Sequence, residues 1–167
     1  NSDFLALFIK HKLPWAICQP IWKKDVLLNL KGFNEDFIRL QDVELHTRAL
    51  IKGIKVGTFP NVKNDCYYRI DEKRSGLNRY EFMVNFINGA IQFYTTFYKA
   101  LNHKHKKELV GTLLEPLSTL CYQLRNKSIT IFEANSLAQH IFETCENKKQ
   151  IKWLRFYYFM ESAECDH

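Results

Sequence analysis

The chain has 167 residues, a formal net charge of +6, 46% hydrophobic residues and 25% charged residues. These proportions exclude an intrinsically disordered chain, and the length suits one domain, or one domain with a helical appendage. The mild positive charge suits an anionic ligand without choosing among phosphorylated substrates, nucleic acid and a membrane surface. The five cysteines are scattered and form no C-x-x-C pair, which excludes a disulfide scaffold or a zinc knuckle and favours a reducing, cytoplasmic setting.

The first elements are short, because proline and glycine recur up to about residue 75. Leu5, Phe8 and Ile9 share one face of a first predicted helix, which Ser2 or Asp3 would cap. Three further patterns predict elements before residue 75. They are helices over 20–30 and 40–52, followed by a short pair of strands over 55–59 and 66–70.

From about residue 77 glycine and proline become sparse, and apolar residues recur at helical spacing. The predicted helices span 78–102, 106–125, 131–146 and 151–163. Pro116 should kink or split the second of them. Core packing is expected of the ring cluster at 156–159, although the same rings could instead cover an interface.

The sequence therefore predicts an α+β protein that is mostly α. Residues 1–75 would form an incomplete α/β unit with the strand pair, and 76–167 a helical bundle, since short connections imply antiparallel neighbours. No stretch approaches the roughly 20 apolar residues needed to span a bilayer. The chain begins without Met, and we expect residues upstream of it.

The most informative motifs lie between residues 14 and 75. They are a Gly-Phe-Asn-Glu turn at 32–35, the pair Gln41-Asp42 opening a helix that continues through Glu44 to Arg48, and Cys-Tyr-Tyr-Arg-Ile at 66–70. In this order and spacing they resemble the second half of the catalytic domain of family 2 glycosyltransferases. These are inverting enzymes of the GT-A fold that use nucleotide-sugars.

The resemblance implies that Asp42 is the general base that takes a proton from the acceptor hydroxyl. From the residues alone, an aspartate at the start of a helix is better explained as a cap, and with the resemblance the two roles are equally well supported. The resemblance also implies that Gln41 and Arg69 bind substrate.

Three further side chains are candidates near this helix. Trp22 could stack on a sugar ring, and we prefer it to Trp15 because it directly precedes the helix that carries the turn. His46 could face the cleft and is included among the substrate-binding candidates. For Arg48, an i,i+4 ion pair with Glu44 is favoured over a phosphate contact.

The chain departs from the family in lacking an Asp-x-Asp motif and a βαβ unit before residue 14. The resemblance therefore implies a fragment that is inactive alone, whose full-length enzyme would use Mg or Mn, with no metal expected in this chain by itself. Asp71 follows the Tyr-Tyr-Arg motif where many relatives have a metal-holding His, and a solvated loop acid is the favoured interpretation. The implied partners are a nucleotide-sugar and a glycan acceptor, in surface polysaccharide synthesis at the inner face of the membrane.

Two alternatives remain at this stage. The helical half could be a non-catalytic interaction module or a homo-oligomer interface. Nucleic-acid binding is prompted by the basic run at 103–107, but no helix-turn-helix, zinc finger or RNP-like strand accompanies it. We therefore expect no nucleic-acid partner.

Overall fold

The structure, a computed structural model, describes residues 3–57, 59 and 78–163. Within these ranges the chain forms eight helices. They are α1 (Phe4–Ile9), α2 (Lys24–Asn29), α3 (Gln41–Ile51), α4 (Arg79–Tyr98), α5 (His103–Glu108), α6 (Val110–Arg125), α7 (Ile131–Thr144) and α8 (Lys148–Ala163). The prediction of a mostly helical protein is confirmed.

The predicted strand pair is not seen. Residues 55–57 are exposed and form no regular secondary structure, and the second predicted strand, at 66–70, lies outside the described residues. The high β-propensity of this region was the basis of that prediction. Propensity of this kind reflects packing against neighbouring strands, so it is a weak guide to whether a short segment forms a strand.

Polar side chains cap several helices, and the cap predicted for the first helix is confirmed with Asp3. The Asp3 carboxylate accepts from the Ala6 backbone N–H at 3.0 Å and begins α1, and the Asn78 side chain caps α4. Thr130 and Glu133 form a reciprocal capping box at the start of α7. Helix α2 is shorter than the predicted 20–30, and no side chain caps its first turn.

The helix predicted over 106–125 is two helices that meet at Leu109. Helix α6 runs through Pro116 without a split, and the kink expected there stays a prediction. The proline is buried, and its packing offsets the hydrogen bond that it cannot donate.

The turn at Leu109 lies beside a close approach of α1. A Cβ built on Gly111 would be 3.2 Å from the Cα of Lys10. Tertiary packing therefore places this break.

One hydrophobic core contains residues from both sides of position 75. Phe8, Ile9 and Val43 belong to the same buried cluster as Ile87 and Leu113. Helix α1 packs on α3 and α5, while α4, α6, α7 and α8 pack on one another. Residues from both sides of the predicted boundary between 1–75 and 76–167 therefore contribute to this core. The boundary itself remains a prediction.

The ring cluster at the end of the chain divides between core and surface. Tyr158 is buried and donates from its hydroxyl to the Asn135 side chain at 3.0 Å. Phe156 and Phe159 are 64% and 66% exposed, so the expectation of core packing is wrong for these two. Helical periodicity shows that a ring lies on a given face, but it does not show which face meets the core.

Gly89 is the position in α4 where the loop before α3 comes closest. A Cβ added there would lie 2.7 Å from the Cβ of Arg39, whose guanidinium in turn lies over the Phe82 ring. We expect Gly89→Ala to lower the free energy of unfolding by about 1–3 kcal/mol, as overpacking does elsewhere. Urea denaturation measures this. Asn88→Ala, at the exposed neighbouring position, is the control and should change stability by less than about 0.5 kcal/mol.

Candidate functional site

The candidate base, Asp42, lies in the first turn of α3 and is not the residue that caps this helix. The N-cap residue is Leu40, which has a left-handed backbone with φ of 64° and no side-chain cap bond. Gln41 donates from its side-chain amide to the Ile38 carbonyl at 2.8 Å, which closes the turn before the helix. Asp42 is half-buried in the first helical turn, and within 3–57, 59 and 78–163 no hydrogen bond or ion pair engages its carboxylate. The capping explanation of Asp42 therefore finds no support.

Glu44 and Arg48 hold α3 against the turn that follows α2. The Arg48 guanidinium donates to both Glu44 carboxylate oxygens, at 2.6 and 2.9 Å, so the favoured i,i+4 ion pair is confirmed. The same guanidinium donates to the Leu30 carbonyl and, at 2.8 Å, to the Gly32 carbonyl. The Glu44 side chain is only 2% exposed. This cluster fixes the Gly-Phe-Asn-Glu turn relative to the helix that carries Asp42.

His46 lies one turn after Asp42 and is 3% exposed. Its Nδ1 donates to the Asp42 backbone carbonyl at 2.7 Å, so the proton of the neutral ring is on Nδ1 and the Nε2 lone pair is an acceptor. Burial lowers the pKa of His46 below its ordinary value of 6.5, against the opposing influence of this hydrogen bond and of the Asp42 charge. At neutral pH the ring is therefore an uncharged hydrogen-bond acceptor.

Three aromatic side chains surround the His46 ring. Phe8 stacks on it at 5.0 Å between ring centroids, Trp15 meets it edge-on at 5.7 Å, and Trp22 lies tilted at 5.6 Å. Two buried polar atoms in this cluster, His46 Nε2 and Trp15 Nε1, have no hydrogen-bond partner among the described residues. One is an acceptor and the other a donor, so a hydroxyl group could satisfy either of them.

The burial of His46 predicts a pH dependence of stability. The unfolded chain takes up the histidine proton near its ordinary pKa of 6.5, whereas the folded protein resists it because its pKa is lower. The contribution of His46 to the free energy of unfolding should therefore be fully present above about pH 7. The free energy of unfolding should fall as the pH decreases toward about 5. His46→Phe should flatten this part of the profile, measured by urea denaturation at several pH values.

The control for this profile is His140→Gln, because His140 is exposed. That variant should keep the wild-type dependence on pH between about 5 and 7. If His46→Phe follows the wild-type profile as closely as the control does, burial does not lower the pKa of His46 in the folded protein.

The structure brings some of the predicted site residues together and leaves others outside its described part. Asp42 and His46 adjoin on α3, and Trp22 contacts the His46 ring. Gln41 lies at the same helix start, with its amide nitrogen engaged locally. Arg69 falls outside the described residues, as does Asp71.

Sequence reasoning missed the contribution of Trp15 and Phe8. The sequence favours Trp22 over Trp15 as a sugar-stacking residue, because Trp22 lies just before α2. In the structure, however, Trp15 supplies the buried donor beside His46. Its position directly after Pro14, outside any predicted helix, was the available signal that it does not belong to a helical core face.

Metal ligands are not grouped in the described ranges. No cluster of three or more His, Cys, Asp or Glu side chains there is arranged to hold a metal ion. The Mg or Mn implied by the resemblance remains an expectation for the full-length enzyme.

A groove lies between the end of α1 and helices α5 and α6. It is an open groove of about 440 Å³ whose lining includes Lys12, Lys107 and Tyr157. His11, also in the lining, donates from Nδ1 to the Glu115 carboxylate at 2.7 Å, which ties the end of α1 to α6. None of the predicted site residues lines this groove.

The chain was compared with models of protein families, with curated proteins and with solved structures, and none of the three comparisons found a match. The functional interpretation therefore stands on the motifs and on the geometry around α3.

Proposed function

We propose that the chain is the acceptor-side part of an inverting glycosyltransferase of the family 2 type. It would transfer a sugar from a nucleotide-sugar to an acceptor hydroxyl, in surface polysaccharide synthesis at the cytoplasmic face of the membrane. Residues 1–75 would belong to a GT-A-like domain, and the strand expected at 66–70 would pair within its sheet. Neutralising the departing diphosphate would require a nucleotide-binding half with its divalent metal, so the 167 residues alone would be inactive.

The observation that carries the proposal is the unpartnered donor and acceptor within the aromatic cluster. Sugars present hydroxyl groups that both donate and accept, together with C–H faces that pack on aromatic rings. His46 Nε2 can accept from such a hydroxyl and Trp15 Nε1 can donate to one, and the half-buried Trp22 ring lies beside His46. A buried polar atom without a partner is unfavourable, so a ligand that satisfies both atoms gains affinity.

Within this proposal each residue has a distinct task. Asp42 accepts the proton of the acceptor hydroxyl while that oxygen attacks the anomeric carbon and the nucleotide leaves from the opposite side. His46, uncharged because burial lowers its pKa, and Trp15 orient the acceptor through a second hydroxyl. Glu44 and Arg48 keep α3 in position and do not touch the sugar.

Saturation-transfer NMR on the 167-residue chain tests the acceptor site directly. The probes are the methyl β-glycosides of glucose, galactose and N-acetylglucosamine, and we expect at least one to bind weakly, with a dissociation constant of about 1 mM. Trp22→Ala should weaken binding by about tenfold, because the stacking ring is removed. Trp15→Phe removes the donor and keeps a smaller aromatic ring at the position, and it should weaken binding by a similar factor.

Phe132→Ala is the matched control, since Phe132 is an aromatic residue on α7 that is 81% exposed. This variant should bind the same glycoside as well as the wild type does. Absence of binding for all three glycosides, or equal binding by the Trp22, Trp15 and Phe132 variants, would contradict an acceptor site at this cluster.

An alternative is a non-catalytic interaction or dimerisation module in the helical half. The exposure of Phe156 and Phe159 favours a surface role for α8. That role is compatible with glycosyl transfer at α3, because the two sites lie on different helices.

A further inference from the structure

Helix α8 carries an apolar surface that the fold does not use. Its inner side packs on the bundle through Leu154 and Tyr158, which are 0% and 7% exposed. Four large apolar side chains lie on its outer side. These are Trp153, Phe156, Phe159 and Met160, with exposed fractions of 47%, 64%, 66% and 50%, and together they are called the α8 face. Exposed apolar residues grouped in this way mark an interaction surface.

Basic side chains accompany the α8 face. The cations of this helix are Lys148, Lys149, Lys152 and Arg155. The Arg155 guanidinium lies over the Phe142 ring at 5.3 Å, while the three lysines are exposed and, in the described part of the chain, form no ion pair. The acidic residue of α8, Glu161, is already paired with Arg125. The charge that α8 offers to a partner is therefore positive.

The lysines stand among the rings rather than on the opposite side of the helix. Lys149 precedes Trp153 by four residues, and Lys152 precedes Phe156 by four, a spacing that places each pair side by side on a helix. A partner that covers the rings must therefore also accept the ammonium groups.

We propose that the α8 face docks the protein on a membrane surface that contains anionic phospholipid. The rings enter the boundary between headgroups and acyl chains, and the lysines extend to the phosphates beside them. Trp and Phe that enter this boundary are typical of helices that lie in the plane of such an interface, and lysines beside them can reach the phosphates through their long side chains. No helix within 3–57, 59 and 78–163 is long and apolar enough to cross a bilayer, so the contact that we propose lies on the surface.

Two other occupants of the α8 face are less favourable, a second copy because of its charge and nucleic acid because of the shape that it requires. A symmetric pairing of two α8 faces would bring the lysines of both copies into one contact, where like charges repel and lysine is generally depleted. Single-stranded nucleic acid is usually bound in a basic groove that follows its backbone, whereas the α8 face is the convex surface of one helix. The proposal does not depend on glycosyl transfer at α3.

Co-sedimentation of the 167-residue chain with vesicles tests the proposal. Vesicles of phosphatidylcholine with phosphatidylglycerol should bind the chain at least about tenfold more tightly than phosphatidylcholine alone, and salt at about 0.5 M should remove most of this difference. Phe156→Ser with Phe159→Ser should reduce binding by at least about tenfold. The triple change of Lys148, Lys149 and Lys152 to Gln should do the same on the anionic vesicles.

The matched control replaces two exposed apolar residues elsewhere, Ile21→Ser with Leu28→Ser, which are 89% and 65% exposed. This variant should bind the anionic vesicles as the wild type does. All variants change exposed side chains, and circular dichroism confirms that each is folded before binding is compared.

Three results would overturn the proposal. One is equal or absent binding to the two kinds of vesicle. Another is a concentration-dependent dimer, seen by light scattering, that the Phe156 and Phe159 changes abolish while vesicle binding is absent. The third is tight binding of a fluorescent single-stranded RNA by a chain that ignores the vesicles.

Discussion

Replacing Arg48 with alanine is expected to lower the free energy of unfolding by about 3–5 kcal/mol. The substitution leaves the Glu44 carboxylate, whose side chain is 2% exposed, without its partner, and it also removes the donor to the Leu30 and Gly32 carbonyls. An uncompensated buried charge is more unfavourable than the loss of a surface ion pair. In a chain of this size the midpoint of thermal unfolding should fall by about 10 °C.

Two further variants identify the origin of this loss. Lys52→Ala removes an exposed cation just after the same helix and should change stability by less than about 0.5 kcal/mol. Glu44→Gln combined with Arg48→Ala removes the buried charge as well, and it should recover part of the stability lost in Arg48→Ala. A single Arg48→Ala variant as stable as Lys52→Ala would show that the cluster does not hold α3 to the preceding turn.

The helix starts were predictable because their signals are local. Asp3, Asn78 and the pair Thr130 and Glu133 are polar residues at helix starts, and their hydrogen bonds are the ones that these patterns predict. The ion pair of Glu44 with Arg48 was predictable for the same reason, since the residues are one helical turn apart.

Features that depend on distant segments were not predictable in the same way. The turn between α5 and α6 at Leu109 lies where α1 approaches Gly111, and a single glycine within a helical pattern is tolerated too often to predict a turn there. The sides of α8 could not be told apart either, because rings occur around most of its circumference and only packing shows that Tyr158 faces inward.

The candidate site also contains one part that was predictable from local signals and one part that was not. The position of Asp42 in the first turn of α3 follows from the motif and the helix pattern. The surroundings of His46 do not, because its ring meets Phe8 from α1 and Trp15 from the following loop, about 30 to 40 residues earlier in the chain. Contacts of this kind are made by the fold and leave no periodic trace in the sequence.

Replacing Asp42 with asparagine is expected to lower turnover by about 10²–10⁴-fold, in a protein that joins these residues to a nucleotide-binding half. Asparagine has nearly the same shape but is not a base at neutral pH, so the acceptor proton has no group to receive it. Folding should change by less than about 1 kcal/mol, because the carboxylate caps no helix and only its interaction with the helix dipole is lost. Transfer rates at saturating donor and acceptor, together with urea denaturation, separate these two effects.

Asp25→Asn is the matched control, since Asp25 also lies in the first turn of a helix but is exposed. It loses the same kind of helix-dipole interaction, and turnover should remain at the wild-type value. A purely structural Asp42 would lose stability and keep its rate, whereas a general base loses its rate and keeps its stability. Wild-type turnover in Asp42→Asn would therefore remove Asp42 from the chemistry, and the arrangement of Glu44, Arg48 and the preceding turn would then be a feature of the fold alone.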